Sequence, residues 1–265
     1  MVNELGRIVL GEIRREFKRA QAYWLEILAD QVFFALGFLL FVGLLQIIAE
    51  GNYDAGARLA SLVGFVIWRV ADGCILRTVD SISEDAESGT LEQVWLSAVS
   101  PQFVLFARSI AVLLYHTARG LLLAAILIPL LGVSLTLTPV IIVLFLLTQL
   151  GAFGVAFIAA GLHLVYKNIS SIMMAISTAL LFLTGSLAPL EQSSQLYLVS
   201  RLLPLTIGIE LTRQVVDGSL PWHMLWQQPD FYKLVFNTMV YGLLGWFVME
   251  WGQRTARQQG SLSHY

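Results

Sequence analysis

Long apolar runs separated by short polar segments make up most of the chain. Six of these runs are each close to the about 20 residues that an α-helix needs to cross a bilayer. They lie at 27–49, 57–80, 102–130, 139–163, 170–188 and 231–251. The pattern predicts an all-α polytopic membrane protein with six transmembrane helices over residues 27–251.

The segment at 1–26 has a different, amphipathic pattern. Five apolar residues share one side of a predicted helix: Leu5, Ile8, Val9, Ile13 and Phe17. Five basic residues share the other side: Arg7, Arg14, Arg15, Lys18 and Arg19. This pattern predicts an interfacial helix in the headgroup plane, and a helix packed on another protein is the alternative.

Residues 189–230 are too apolar for an ordinary loop and too interrupted to span. Ser193 or Ser194 can cap a short helix over 195–203, which Pro204 interrupts. A second helical pattern continues until Asp217 and Gly218. We expect two outer re-entrant half-helices here, with protein covering the broken backbone.

The distribution of Lys and Arg predicts the orientation. With the N-terminus inside, ten basic residues fall at cytoplasmic ends and four at outer ends, as the positive-inside rule requires. Both termini, including a tail at 252–265, are therefore expected in the cytoplasm.

A polar, acidic segment at about 84–100 lies between the second and third spans. Thr90 and Gln93 fit a capping box, and Pro101 ends the helical pattern. Leu91, Val94, Trp95 and Ala98 share one face of the short helix that this predicts. That apolar face needs a cover, and a partner protein is the natural one.

Composition agrees with a membrane protein and excludes several functions. The chain is 57% hydrophobic and 13% charged, against about 25% charged in soluble domains. A net charge of -2 argues against nucleic acid as a partner. Cys74 is the one cysteine, and the four histidines show no metal-ligand spacing. None of the three lysines follows a glycine, so the sequence has no nucleotide-binding P-loop and predicts no enzyme.

Four ionisable residues lie inside predicted spans: Arg69, Asp72, His116 and Arg119. Charges there are costly and should face protein or water. Arg69 and Asp72 can share a helix face, and Asp72 can alternatively pair with Arg119. The group is either a polar patch on a translocation path or a buried ion pair joining two spans. The small residues at 152, 154, 156, 160 and 161 predict a close-packing face on the fourth span.

The segment Glu87-Ser88-Gly89-Thr90-Leu91-Glu92, closing on Ser100-Pro101, resembles the E-x-G-T-L-E … S-P segment of type-2 ABC exporter permeases, the ABC-2 membrane family. The later string Gly185 … Pro189 … Leu203-Pro204 … Arg213 … Gly218 is similar to that family's segment after span five. One departure is 190–200, where many members carry an extra Met-Pro or Leu-Pro pair.

The resemblance implies that 84–100 is a coupling helix that docks on an ABC ATPase subunit. The implied contact residues are Glu87, Gly89, Thr90, Leu91, Glu92, Val94 and Trp95. It further implies a second permease chain, identical or different, and ATP and Mg bound by the partner ATPase, with no cofactor in this chain. Such a permease exports its substrate across the plasma (bacterial inner) membrane.

The sequence is also compatible with two other functions. An ion-coupled secondary transporter would use Asp72, His116 and Arg119 as coupling groups, although the sequence lacks the internal repeat typical of many such proteins. A non-transporting membrane scaffold would use the acidic segment for assembly alone. Because few charges lie in the spans, a lipid, glycolipid or hydrophobic drug is favoured over an ion, and the same family also moves polysaccharides.

Overall fold

The structure is a computed structural model that describes residues 2–50, 53–87, 101–166, 169–191 and 193–258. Within these residues the chain forms nine α-helices and one short 3₁₀ helix, without a strand. The α-helices are α1 (Val2–Ala22), α2 (Trp24–Ile48), α3 (Ala55–Glu87), α4 (Pro101–Leu131), α5 (Pro139–Tyr166), α6 (Ser170–Leu183), α7 (Gln195–Ser200), α8 (Thr206–Val216) and α9 (Pro229–Gln258). The 3₁₀ helix (Trp222–Gln227) precedes α9.

Five helices are long and apolar enough to cross a membrane: α2, α3, α4, α5 and α9. They coincide with five of the six predicted spans, and the fold is that of an all-α polytopic membrane protein. α9 continues to Gln258, so the predicted tail at 252–265 begins as helix. α6 has 14 residues, about 21 Å at 1.5 Å per residue, against a hydrocarbon core of about 30 Å. A sixth span at 170–188 therefore stays a prediction.

α3 lies at the centre of the bundle and packs against α4, α5, α6 and α8. Two buried side chains fasten it to its neighbours. The Trp68 indole N–H donates to the Ser177 carbonyl of α6 at 2.9 Å, and the Gln149 amide of α5 donates to the Ile67 carbonyl at 3.0 Å. These bonds use polar groups that would otherwise face an apolar interior.

α2 meets the central helix mainly through aromatic side chains. Phe38 on α2 stacks on Phe65 of α3 with ring centroids 4.5 Å apart, and Phe65 in turn stacks on Trp68. Large rings keep the two backbones apart. α2 consequently packs loosely on the bundle, and most of its surface is exposed apolar side chains.

Two short helices lie in the region between α6 and α9. Ser194 caps α7, and its hydroxyl accepts a hydrogen bond from the Tyr197 amide at 3.2 Å. α7 ends at Ser200, earlier than the expected 203, and Pro204 separates it from α8. Gly218, with φ of 79°, follows the end of α8 in a conformation that favours glycine. The position of both helices relative to the membrane stays a prediction.

Candidate functional site

A polar cleft opens between α1, α2, α3 and α4, with a volume of about 280 Å³. Its charged lining residues are Glu16, Glu26, Asp30, Asp72 and Asp80, with Arg19, Arg69, Arg77 and Arg119. His116 and three aromatic residues also line it. Charged side chains are costly in a membrane-spanning bundle, so their concentration in one cleft marks it as the candidate site.

All four of the predicted intramembrane residues line this cleft. Arg69 pairs with Asp72 on its own helix, with 3.1 Å between Nη1 and Oδ2. The alternative prediction, a pair between Asp72 and Arg119, is wrong. Arg119 of α4 pairs with Asp30 of α2 instead. Arg69 also reaches Asp30, at 2.7 Å from its Nη2. Asp30 therefore bridges two guanidinium groups that come from different helices.

Asp30 is not among the residues that the sequence pattern singles out, although a signal is present. The residue stands near the start of the first predicted span, where a lone carboxylate requires a partner. Asp72 has a further partner, because the Ser177 hydroxyl of α6 donates to its Oδ1 at 2.6 Å. The ion-pair cluster thus joins α2, α3, α4 and α6, and a role of these charges in transport stays a prediction.

Aromatic rings support two of the arginines. The Arg69 guanidinium carbon lies 3.9 Å from the centroid of Phe34, and that of Arg119 lies 5.5 Å from the centroid of Tyr115. Cations within about 6 Å of an aromatic face are attracted by the ring quadrupole. Each of these guanidinium groups therefore contacts a carboxylate and also an aromatic ring.

His116 is a deeply buried polar group of the cleft. It is 7% exposed, and its Nε2 has no hydrogen-bond partner in the described part of the chain. The imidazole lies directly against Gly73, where any Cβ would overlap the ring. Glycine at this position of α3 therefore makes room for the histidine.

A second group of ion pairs fastens α1 to the C-terminal end of α3 and to α4. Arg77 of α3 pairs with Glu16 at 3.0 Å and with Glu84 at 2.9 Å, and Arg19 pairs with Glu84 at 2.7 Å. Arg108 of α4 reaches Asp85 at 2.7 Å. Glu84 and Asp85 stand at the start of the segment 84–100 predicted to be a coupling helix, and in the structure they belong to the last turn of α3.

Residues 84–87 of that predicted segment end α3, and residues 88–100 lie outside the described residues. This applies to Gly89, Thr90, Leu91, Glu92, Val94 and Trp95. Glu87 closes α3, and its side chain is not described. The predicted contacts of the segment 88–100 with a partner therefore stay predictions.

A buried arginine holds the opposite end of the molecule together. Arg213 of α8 donates from Nε to the Ala60 carbonyl at 2.7 Å and from Nη2 to the Ser186 carbonyl at 3.0 Å. Burial lowers the pKa of Arg213 to about 10, so the side chain remains charged at neutral pH. Gly64 permits this approach, because a Cβ there would overlap the Ser186 carbonyl.

A comparison with protein-family models decides the family. Residues 10–216 match the model described as ABC-2 type transporter, which is more than half of the chain. The chain belongs to the ABC-2 type transporter family. The resemblance inferred from the sequence is thereby confirmed, whereas a comparison with curated proteins gave no match.

Membership defines the general role of the molecule. The ABC-2 domain is the permease part of an ABC transporter, a part that lacks its own ATPase motif, so this chain is a multi-pass transmembrane subunit. ABC-2 permeases in general pair with an ABC ATPase subunit.

Proposed function

We propose that this ABC-2 subunit is the permease of an ATP-driven exporter. Two permease chains would pair and bind two ATPase subunits, which hold ATP and Mg. Nucleotide-driven closure would move a hydrophobic or amphiphilic substrate, such as a lipid, glycolipid, drug or polysaccharide-like molecule, outward by alternating access. The family match over 10–216 carries this proposal.

The ion pairs between α1, α3 and α4 support a route for the motion. The segment 88–100 connects the end of α3 to the start of α4 directly. A force on this segment would act on both helices, and the pairs Arg77–Glu16 and Arg108–Glu12 would carry it to α1. Three of these four side chains are buried, so water screens the two pairs less than surface pairs.

In the proposed orientation, the protein lies in a bacterial inner membrane with both termini on the cytoplasmic side. The ATPase would then dock beneath α3 and α4, with Leu91, Val94 and Trp95 in a hydrophobic groove of that partner. Gly89 would supply the turn before the helix, and Glu87 and Glu92 would meet basic groups.

A capture experiment tests the docking. The detergent-solubilised protein is used as bait, and ATPase activity is measured in the eluate for the wild type and for Leu91→Asp/Trp95→Asp. We expect capture by the wild type and about a tenfold loss or more in the double variant, because two charges would enter an apolar groove. Trp222→Asp/Met224→Asp is the matched control, since both residues are exposed in the 3₁₀ helix.

Equal capture by the wild type and by Leu91→Asp/Trp95→Asp would move the ATPase contact away from 88–100. Capture of no ATPase under conditions that preserve complexes would contradict the exporter proposal and favour an ion-coupled carrier. In that case Asp72→Asn should abolish coupling instead of only reducing stability.

A further inference from the structure

We propose that the cleft between α1, α2, α3 and α4 binds the protonated amine headgroup of an amphiphile. The inference rests on the proposed permease function, because it names the chemical class of the cargo. Its basis is the balance of paired and unpaired charges in the cleft, which differs sharply between cations and anions.

The four arginines of the cleft are all paired. Arg69 and Arg119 share Asp30, and Arg77 is held by Glu16 and Glu84. Arg19 also pairs with Glu84, at 2.7 Å. An anionic ligand would have to displace a carboxylate from one of these pairs, and breaking a buried pair is strongly unfavourable.

Two of the carboxylates, by contrast, are available. Glu26 of α2 and Asp80 of α3 both line the cleft, and neither makes an ion pair in the part of the chain that the structure describes. Both residues are exposed, so they are open to a ligand. The unpaired charge of the cleft is therefore negative, and opposite charge favours a cation.

His116 supplies an independent sign that the cleft accepts a polar group. The residue is only 7% exposed, it lines the cleft, and its Nε2 lacks a hydrogen-bond partner among the described residues. Buried polar atoms are almost always hydrogen-bonded, so an unpaired one calls for a partner. A neutral imidazole nitrogen can accept a bond from an ammonium N–H, as can a carboxylate oxygen.

The surroundings of the cleft select an amphiphile. A volume of about 280 Å³ is at the lower limit of ligand pockets, so it fits a headgroup better than a whole lipid or drug. Ile27, Phe34 and Leu76 give the wall an apolar part. Outside the cleft, Leu28 of α2 and Leu114 of α4 are exposed on helices that can cross a membrane. An alkyl chain can follow that surface while the amine stays inside.

Equilibrium dialysis of the full-length protein in an uncharged maltoside detergent tests the proposal. The probes are radiolabelled decylamine, decanesulfonate and decanol, which share a chain length and differ in headgroup charge, and protein-free micelles give the background. We expect decylamine to bind at least tenfold more tightly than either of the other probes.

Glu26→Gln/Asp80→Asn removes the two unpaired charges with little change in shape. We expect decylamine binding to weaken about tenfold in this variant, while Glu250→Gln, which removes a carboxylate paired with Arg254 on α9, leaves it unchanged. Thermal unfolding of each variant checks that the fold is retained, as exposed positions should ensure.

No decylamine binding to the wild type, equal affinity for decanesulfonate, or unchanged binding by Glu26→Gln/Asp80→Asn would each overturn the proposal. Tighter binding of decanesulfonate would show that the arginines recognise the ligand instead. Because dialysis needs no ATPase, its outcome is separate from the capture experiment, and either proposal can fail alone.

Discussion

Four glycines determine how closely α5 and α9 approach each other. Gly154 and Gly161 of α5 face the backbone of α9, and Gly245 and Gly252 of α9 face Gly154 and Gly161 in return. On each helix the two glycines are about two turns apart, which returns the chain to the same helix face. A Cβ at any of the four would overlap main-chain atoms of the other helix. Small residues of this kind let membrane helices pack backbone to backbone.

Gly154→Ala should therefore destabilise the protein, although alanine is the better helix former. The added methyl group would overlap the Tyr241 carbonyl, and overpacking of this kind costs about 1–3 kcal/mol. Gly242→Ala on α9 is the matched control, because nothing lies within 4 Å of the place that a Cβ would occupy there. Thermal unfolding in detergent should show a clear loss for the first variant and no loss for the second. Equal unfolding temperatures would contradict the close packing.

The sequence shows which residues are important more readily than it shows which residues they contact. The small-residue face of the fourth span was predicted, but the sequence does not say that α9 covers it. The cleft shows the same limit: Arg69, Asp72, His116 and Arg119 were singled out by their cost in a membrane. Asp30 and the unpaired Glu26 and Asp80 became meaningful only when the fold brought α1, α2, α3 and α4 together.

The sequence pattern predicts the helix α1, but it does not predict which of the basic side chains of α1 contact other helices. Periodicity predicted an amphipathic helix with its basic residues on one polar side, and α1 is present over Val2–Ala22. Its polar side is divided, however. Arg15 and Arg19 turn toward α3, whereas Arg14 and Lys18 are exposed beside the exposed Phe17. Acidic residues at the end of α3 attract the first set, and no local pattern reveals them.

Arg108→Met should loosen the attachment of α1 to the bundle while leaving the remaining helices folded. Arg108 is buried and pairs with Asp85 and with Glu12 of α1, so its loss leaves two carboxylates without this partner. Breaking a buried ion pair costs about 3–5 kcal/mol. Hydrogen exchange should therefore accelerate at least tenfold in 2–22 and change little in α5 and α9.

Arg254→Met is the matched control for this experiment. Arg254 pairs with Glu250 one turn earlier on α9 and is exposed, and such pairs contribute only about 0.5 kcal/mol or less. If Arg108→Met left exchange in α1 unchanged, Arg108 would not fasten that helix, and the proposed transmission of motion from α4 to α1 would lose its support.

Over the whole molecule, hydropathy predicts crossings but not how far each helix extends. Five apolar runs coincide with long helices because every backbone group in hydrocarbon must be bonded within its own helix. The run at 170–188 is a different case, since helix ends at Leu183 and Gly185 follows with φ of 68°. The carbonyl of Ser186 then binds Arg213, a distant partner that no local pattern could predict.

The orientation of the bundle can be tested by introducing single cysteines, because the native cysteine is buried. Cys74 is the one cysteine of the chain and is buried in the core, so the wild type should not react with a membrane-impermeant maleimide. Single substitutions Lys18→Cys on α1 and Ser219→Cys after α8 then report opposite ends, because both positions are exposed. With the N-terminus in the cytoplasm, intact cells should label Ser219→Cys strongly and Lys18→Cys only after permeabilisation. The reverse pattern would open the cleft of Glu26 and Asp80 to the outside, and amine-bearing cargo would then have to be captured there instead of being exported.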